Sequence, residues 1–174
     1  MTTILHLDSS LYSEQGESSR LSAAFIAHWR LREPGLRVIH RDLARTPVPH
    51  LTAERFGALL TAPAERSPAQ QAIAAESDAL IAELQAADAI VLSLPMYNFG
   101  LPSTLKAYFD HVARAGVTFR YTASGPVGLL RARKAYVFAT RGGVYAGTPR
   151  DTATPYTRDF LQFLGVREVE FIHA

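Results

Sequence analysis

Cysteine is absent from the chain, which excludes a disulfide framework and a thiolate nucleophile together. Charge is sparse: 20% of the residues are charged and the net charge is +2, too little to argue for a nucleic-acid partner. The six arginines between Arg114 and Arg150 are spread over strand, loop and helix patterns and form no basic stripe. No apolar run approaches membrane-spanning length. The opening residues Met1 to Leu7 lack a basic segment followed by a long apolar one, so they read as a first strand, with the cytoplasm as the default compartment. His6, His28, His40, His50, His111 and His173 share no spacing that suggests a metal. Neither the P-loop nor the dinucleotide glycine pattern occurs. Asp8 ends the first apolar run, but no second acid accompanies it, which disfavours phosphoryl transfer to a carboxylate. No pairing of nucleophile and base is evident.

What is present describes an ordinary globular chain. The 174 residues, 48% of them hydrophobic, are enough for one domain, residues 1–174, with a substantial core. Apolar runs at Thr3 to Leu7, Leu36 to His40, Ala89 to Leu94, Lys134 to Ala139 and Val169 to Ile172 predict five strands. Between them, helical spacing marks Leu21, Phe25, Ile26 and Trp29, then Pro68 to Gln85, Ser103 to Ala113, and Thr154 to Leu164 closed by Gly165. Asp42 to Ser67 is the least regular part, with a weak helical signal at Ala53 to Leu60. Strands alternating with helices predict an α/β fold with a doubly wound parallel sheet in the order 2-1-3-4-5. Ligands then bind at the carboxyl ends of the strands, beside the first and third.

Three loops at those ends have unusual compositions. Ser9 to Ser19 holds five serines and a glycine before a helix begins, which suits an anion. A surface loop ending in a serine N-cap is the alternative. Pro95-Met96-Tyr97-Asn98-Phe99-Gly100-Leu101-Pro102 offers two rings and an amide, and no acid, base or thiol. That composition fits a flat aromatic ligand, although Met96, Tyr97 and Phe99 could equally belong to the core, and Asn98 to a plain turn. Thr140-Arg141-Gly142-Gly143 exposes two backbone donors, or is simply a turn. Arg141 is either a ligand contact or a solvated charge. Together the loops resemble the way a flavodoxin-like site would hold FMN, with phosphate at the first helix and the ring between the other two loops.

The chain resembles the bacterial family of FMN-dependent NADH azoreductases and NADH:quinone oxidoreductases, which are flavodoxin-like. The resemblance runs from Met1 to Ala174. It is carried most specifically by Pro95 to Phe99, by Ala113-Arg114-Ala115-Gly116-Val117-Thr118-Phe119-Arg120-Tyr121-Thr122, and by Arg141-Gly142-Gly143. It implies that Ser10, Gly16, Glu17 and Ser18 hold the FMN phosphate. Met96, Tyr97, Asn98 and Phe99 would line the ribityl chain and ring, and Thr140, Arg141, Gly142 and Gly143 the ring's far side. It further implies a homodimer with the substrate pocket at its interface, Tyr121 and Phe163 of the second copy capping the flavin beside Phe99. NADH would reduce FMN, and a quinone or azo compound would then take two electrons in a ping-pong cycle. Asn98, Gly142 and Gly143 would orient the ring, with no catalytic side chain of their own.

Departures from the family pattern accompany the resemblance. Tyr145 stands where the family often has histidine, and Leu60 near a position where relatives have arginine. A further helix is expected after the fifth strand, so the chain reads as truncated or its tail as disordered. The rival function is a flavodoxin-like electron carrier without NADH turnover, although carriers usually show a strongly acidic surface.

Overall fold

The structure, a computed structural model describing residues 1–174, places β1 at Thr3–Asp8, α1 at Glu17–Arg32, β2 at Arg37–Asp42, α2 at Ala53–Leu60, α3 at Pro68–Ala86, β3 at Ala89–Pro95 and α4 at Ser103–Val112. There follow β4 at Phe119–Thr122, β5 at Gly125–Gly128, β6 at Lys134–Thr140, α5 at Ala153–Phe163 and β7 at Glu168–His173. Five strands form one parallel sheet in the order β2-β1-β3-β6-β7. This is the expected doubly wound arrangement; a short hairpin, β4-β5, is inserted between its third and fourth strands.

Local chemistry accounts for the element ends. Ser67 and Gln70 form a reciprocal capping box at the start of α3, with Pro68 in its first turn, where no backbone donor is needed. Gly165 adopts φ +107° and closes α5, a conformation that a side chain would oppose. Strand β3 is buried along all seven residues, as a central parallel strand covered on both faces must be.

The two faces are unequally covered. On one, α3, α4 and α5 enclose a cluster of 24 buried residues that includes Leu5, Leu92, Tyr108 and Leu161. On the other, the packed cluster has six buried residues, among them Ile4, Ile26, Val91 and Phe138. There Phe25 of α1 lies 4.8 Å from the ring of Tyr136 and 5.3 Å from that of Phe138. No helix of the molecule is long and apolar enough to cross a membrane.

The hairpin is the part the sequence pattern does not predict. Phe119-Arg120-Tyr121-Thr122 pairs with Gly125-Pro126-Val127-Gly128, and Gly128 lies against the end of α5. A Cβ there would stand 2.1 Å from the Gly165 nitrogen, so only glycine permits that approach.

Candidate functional site

The carboxyl ends of β1, β3 and β6 open into a cleft of about 270 Å³. It is lined by Ser10, Tyr12, Gly16, Glu17, Pro95, Met96, Tyr97, Thr140, Arg141 and Gly142. All three loops singled out in the sequence therefore contribute. The loops are tied to one another: the Leu11 amide donates to the Tyr97 hydroxyl (3.2 Å), and the Met96 amide to the Thr140 carbonyl (2.9 Å).

The first wall is the start of α1. Gly16 is its N-cap residue and supplies no side chain to cap it, so the first-turn amides keep their capacity to bind an acceptor. A Cβ on Gly16 would lie 2.1 Å from the Ser10 Oγ. The hydroxyls of Ser18 and Ser19 are buried and have no hydrogen-bond partner. A helix N-terminus with free amides, a serine packed directly against its first turn and orphaned hydroxyls suits an anion. The acids nearby do not oppose it. Glu14 pairs with Arg45 (3.0 Å), Glu17 pairs with Arg20 (3.1 Å), and their side chains are 77% and 71% exposed.

The second wall is the turn after β3. Tyr97 and Gly100 exchange backbone hydrogen bonds of 3.0 Å in both directions. Asn98 and Phe99 form the corners, at φ +50° and +65°. Left-handed φ at both corners is the pattern of a type I′ turn, which asparagine tolerates and phenylalanine does not favour. The Phe99 ring is held edge-on to Tyr145, centroids 5.9 Å apart, and the Thr152 hydroxyl donates to the Phe99 carbonyl. Asn98 and Phe99 are exposed and do not line the cleft itself.

The third wall is Thr140 to Gly143. Gly142 borders the cleft and faces open space. Gly143 and Tyr145 instead border an adjoining hollow of about 230 Å³ with Arg141 and His173. The Arg141 side chain turns inward: its guanidinium donates to Asp151 (2.8 Å), Thr154 (2.5 Å) and the Nδ1 of His173 (2.7 Å). Arginine and aspartate are each only 4% exposed. Burial pushes the Asp151 carboxyl up, but hydrogen bonds from Arg141 and Thr154 outweigh it and the net pKa is lowered. Burial, reinforced by the charge of Arg141, lowers the pKa of His173.

Tyr121 and Phe163 lie away from this cleft, packed on either side of Phe119 at 5.4 and 4.3 Å between ring centroids. Tyr121 is among the most exposed aromatics of the chain. Leu60 is exposed at the end of α2.

One cluster was not anticipated. Parallel pairing of β1 with β2 sets His6 opposite His40. Their rings stack at 4.8 Å, and each Nε2 approaches Asp8, at 3.4 Å for His6 and 2.8 Å for His40. The ligand atoms of all three lie within 4.8 Å of one another. The Nε2 of His40 is engaged with Asp8, and that of His6 also lies 2.8 Å from the Ser22 hydroxyl. The only sequence signal was histidine at matching places in two neighbouring strands.

Comparisons with known proteins agree with this arrangement. Residues 2–174 match the protein family described as having a flavodoxin-like fold. The chain is 53% identical, over its whole length and 87% of the relative's, to the FMN-dependent NADH:quinone oxidoreductase of Cellvibrio japonicus. It is 52% identical, over its whole length and 88% of the relative's, to FMN-dependent NADH:quinone oxidoreductase 6 of Burkholderia lata. The crystal structure of an azoreductase from Bacillus anthracis superposes with a TM-score of 0.90 at 28% identity, covering 99% of this chain and 86% of that one. The chain belongs to the flavodoxin-like family of FMN-dependent NADH:quinone oxidoreductases and azoreductases.

Proposed function

We propose that the protein is an FMN-dependent oxidoreductase that passes electrons from NADH to quinones, and also to azo compounds, by a ping-pong cycle. The observation that carries this reading is the convergence of Ser10, Gly16, Met96, Tyr97, Thr140 and Gly142 on one cleft around an uncapped helix start. The residues fit FMN. The close approach of Ser10 to the start of α1 that Gly16 permits, and the unpartnered hydroxyls of Ser18 and Ser19, suit its phosphate. When bound, FMN supplies the redox chemistry, taking a hydride from NADH and returning two electrons to the acceptor.

The chain's own residues hold and orient. Ser10 and the amides of Glu17 and Ser18 bind the phosphate. Met96 and Tyr97 would line the sugar-alcohol chain, and Asn98 and Phe99, beside the cleft, would extend that wall toward the ring. The amides of Gly142 and Gly143 would serve as fixed backbone donors to the ring edge that gains negative charge on reduction, stabilising it without reorganising. The Tyr145 hydroxyl adds a neutral donor where a histidine could carry charge. Arg141 acts on the cleft through its loop, since its guanidinium is engaged with Asp151, Thr154 and His173. The protein works as a homodimer in which Tyr121 and Phe163 of the second copy cover the exposed face of the flavin beside Phe99, and the 74% exposure of Tyr121 supports this.

Initial rates measured with NADH and benzoquinone varied together test the reading. Parallel double-reciprocal lines are expected. Intersecting lines contradict the ping-pong cycle, and FMN bound without NADH consumption leaves the electron carrier.

A further inference from the structure

Beneath the anion cradle lies a buried polar lattice that the proposed cycle does not use. The Asp8 carboxylate, at the end of β1, accepts a hydrogen bond from the Ser93 hydroxyl on one oxygen. Its other oxygen lies 2.8 Å from the Nε2 of His40. Ser93 in turn lies 2.8 Å from the Oγ of Ser22, and Ser22 donates to the carbonyl of Ser19 (2.9 Å) in the first turn of α1. The Nε2 of His6 is 2.8 Å from the same Ser22 hydroxyl. Ser9 donates to the Ser93 carbonyl at 2.6 Å. A carboxylate that is 3% exposed thus lies only two serine side chains from the helix turn whose amides face the cleft.

That placement poses an electrostatic problem. A buried negative charge beneath a phosphate site repels the phosphate, and in the low dielectric of the interior the repulsion is poorly screened. The Ser93 hydroxyl and the nearby His6 ring solvate Asp8 but do not remove its charge. The group that reaches it from the water-accessible side is His40, whose side chain is 51% exposed.

We propose, on the reading that the cleft holds FMN, that His40 is a positioning residue for the cofactor phosphate: as an imidazolium it cancels the charge of Asp8 beneath the first turn of α1. The groups facing His40 are Asp8 and His6 from β1, and Asp42 and Arg45 from the end of β2 and the loop beyond it. The hydrogen bond to Asp8 raises the His40 pKa, burial opposes it, and Asp8 and Asp42 add to the rise while Arg45 detracts. His40 therefore keeps its proton to a higher pH than an ordinary histidine. Above that pH the Asp8 charge is left uncompensated and the cradle weakens. His40 touches neither the reacting atoms nor the phosphate; it acts through Asp8.

The test compares FMN with riboflavin, which has the same ring and no phosphate, by fluorescence titration of the apoprotein. The readout is the ratio of riboflavin to FMN dissociation constants. It is followed from pH 7 upward, where the phosphate is already close to a dianion. In the native sequence this ratio is expected to fall by about tenfold as His40 deprotonates, the order expected for one nearby elementary charge in a partly hydrated site. His40→Gln keeps a donor to Asp8 without the charge, so its ratio is low at pH 7 and flat above it. Adding Asp8→Asn to His40→Gln removes the anion and restores the ratio. A His40→Gln protein with the native ratio and pH profile would overturn the proposal, as would a double variant that stays low. If FMN binds no more tightly than riboflavin to the native sequence, the phosphate site itself is wrong and the proposed function fails with it.

Discussion

A Cβ on Gly16 would stand 2.1 Å from the Oγ of Ser10 and 2.6 Å from its Cβ. The loop after β1 and the first turn of α1 therefore meet with no room for a side chain, and the space left is part of the cleft wall. Gly16→Ala is expected to push Ser10 aside, weaken FMN binding at least tenfold and destabilise the fold by about 1–3 kcal/mol, the usual cost of overpacking. Fluorescence titration with FMN and thermal melting of the apoprotein check the two effects. Unchanged FMN affinity would remove Gly16 and Ser10 from the site.

Phe99 holds φ +65° at a corner where glycine is the favoured residue, and its ring is 52% exposed. A non-glycine residue in the left-handed region costs about 1–2 kcal/mol. The edge contact with Tyr145 returns roughly 0.5 kcal/mol of that. Phe99→Gly is therefore expected to raise the stability of the apoprotein by about 1 kcal/mol while lowering NADH:quinone turnover. A variant that is both less stable and fully active would show that the ring is there for packing.

Arg141 and Asp151 form a buried pair in which each partner is 4% exposed. Removing one member of such a pair leaves the other charge uncompensated, at a cost of about 3–5 kcal/mol. Arg141→Ala is expected to lose that much in urea unfolding, and Asp151→Asn less, because asparagine still accepts from the guanidinium. A loss below about 1 kcal/mol for Arg141→Ala would return this arginine to the role of a ligand contact.

Arg141 also marks where the sequence stops being informative. A charged residue beside two glycines looks the same whether it faces a ligand or turns inward. The choice is made by Asp151, Thr154 and His173, which arrive from the turn before α5, from α5 and from β7. The sheet was legible because its central strands β1, β3 and β6 are short, mainly apolar runs and its edge strands carry shorter apolar stretches, and the order followed from the placement of helices between them. The hairpin β4-β5 was not, since Gly125-Pro126-Val127-Gly128 has neither alternation nor an apolar run. It is held in place by the close approach of Gly128 to Leu164 and Gly165. The three cleft loops were legible as unusual compositions at strand ends. The stack of His6 on His40 was not, because residues 34 positions apart meet only through strand register.

Stability should depend on pH from both sides. Burial raises the Asp8 carboxyl, but hydrogen bonds from His40, His6 and Ser93 carry it well below the usual carboxylate range. A folded pKa below the unfolded value of about 3.9 gives stabilisation that is present above that pH and lost as pH falls below it. The hydrogen bond to Asp8 raises the His40 pKa, so its contribution is complete below about pH 6.5 and fades as pH rises through the folded value. His111 and His173, both lowered by burial first, act in the opposite sense, costing stability as pH falls below about 6.5. The contribution of His40 is isolated by difference. The native sequence should melt higher than His40→Gln at pH 6, and the gap should close at alkaline pH. A gap that is constant with pH would contradict the Asp8–His40 assignment.

The most direct measurement is a two-step single turnover under anaerobic conditions, with the purified protein loaded with FMN. One equivalent of NADH is added without acceptor, the NAD⁺ it forms is removed, and benzoquinone follows. The account predicts that the flavin absorbance bleaches with NADH alone and returns fully with benzoquinone, each step fast enough to support steady-state turnover. A flavin that stays oxidised with NADH, or one that bleaches but is not restored by quinone, would contradict it.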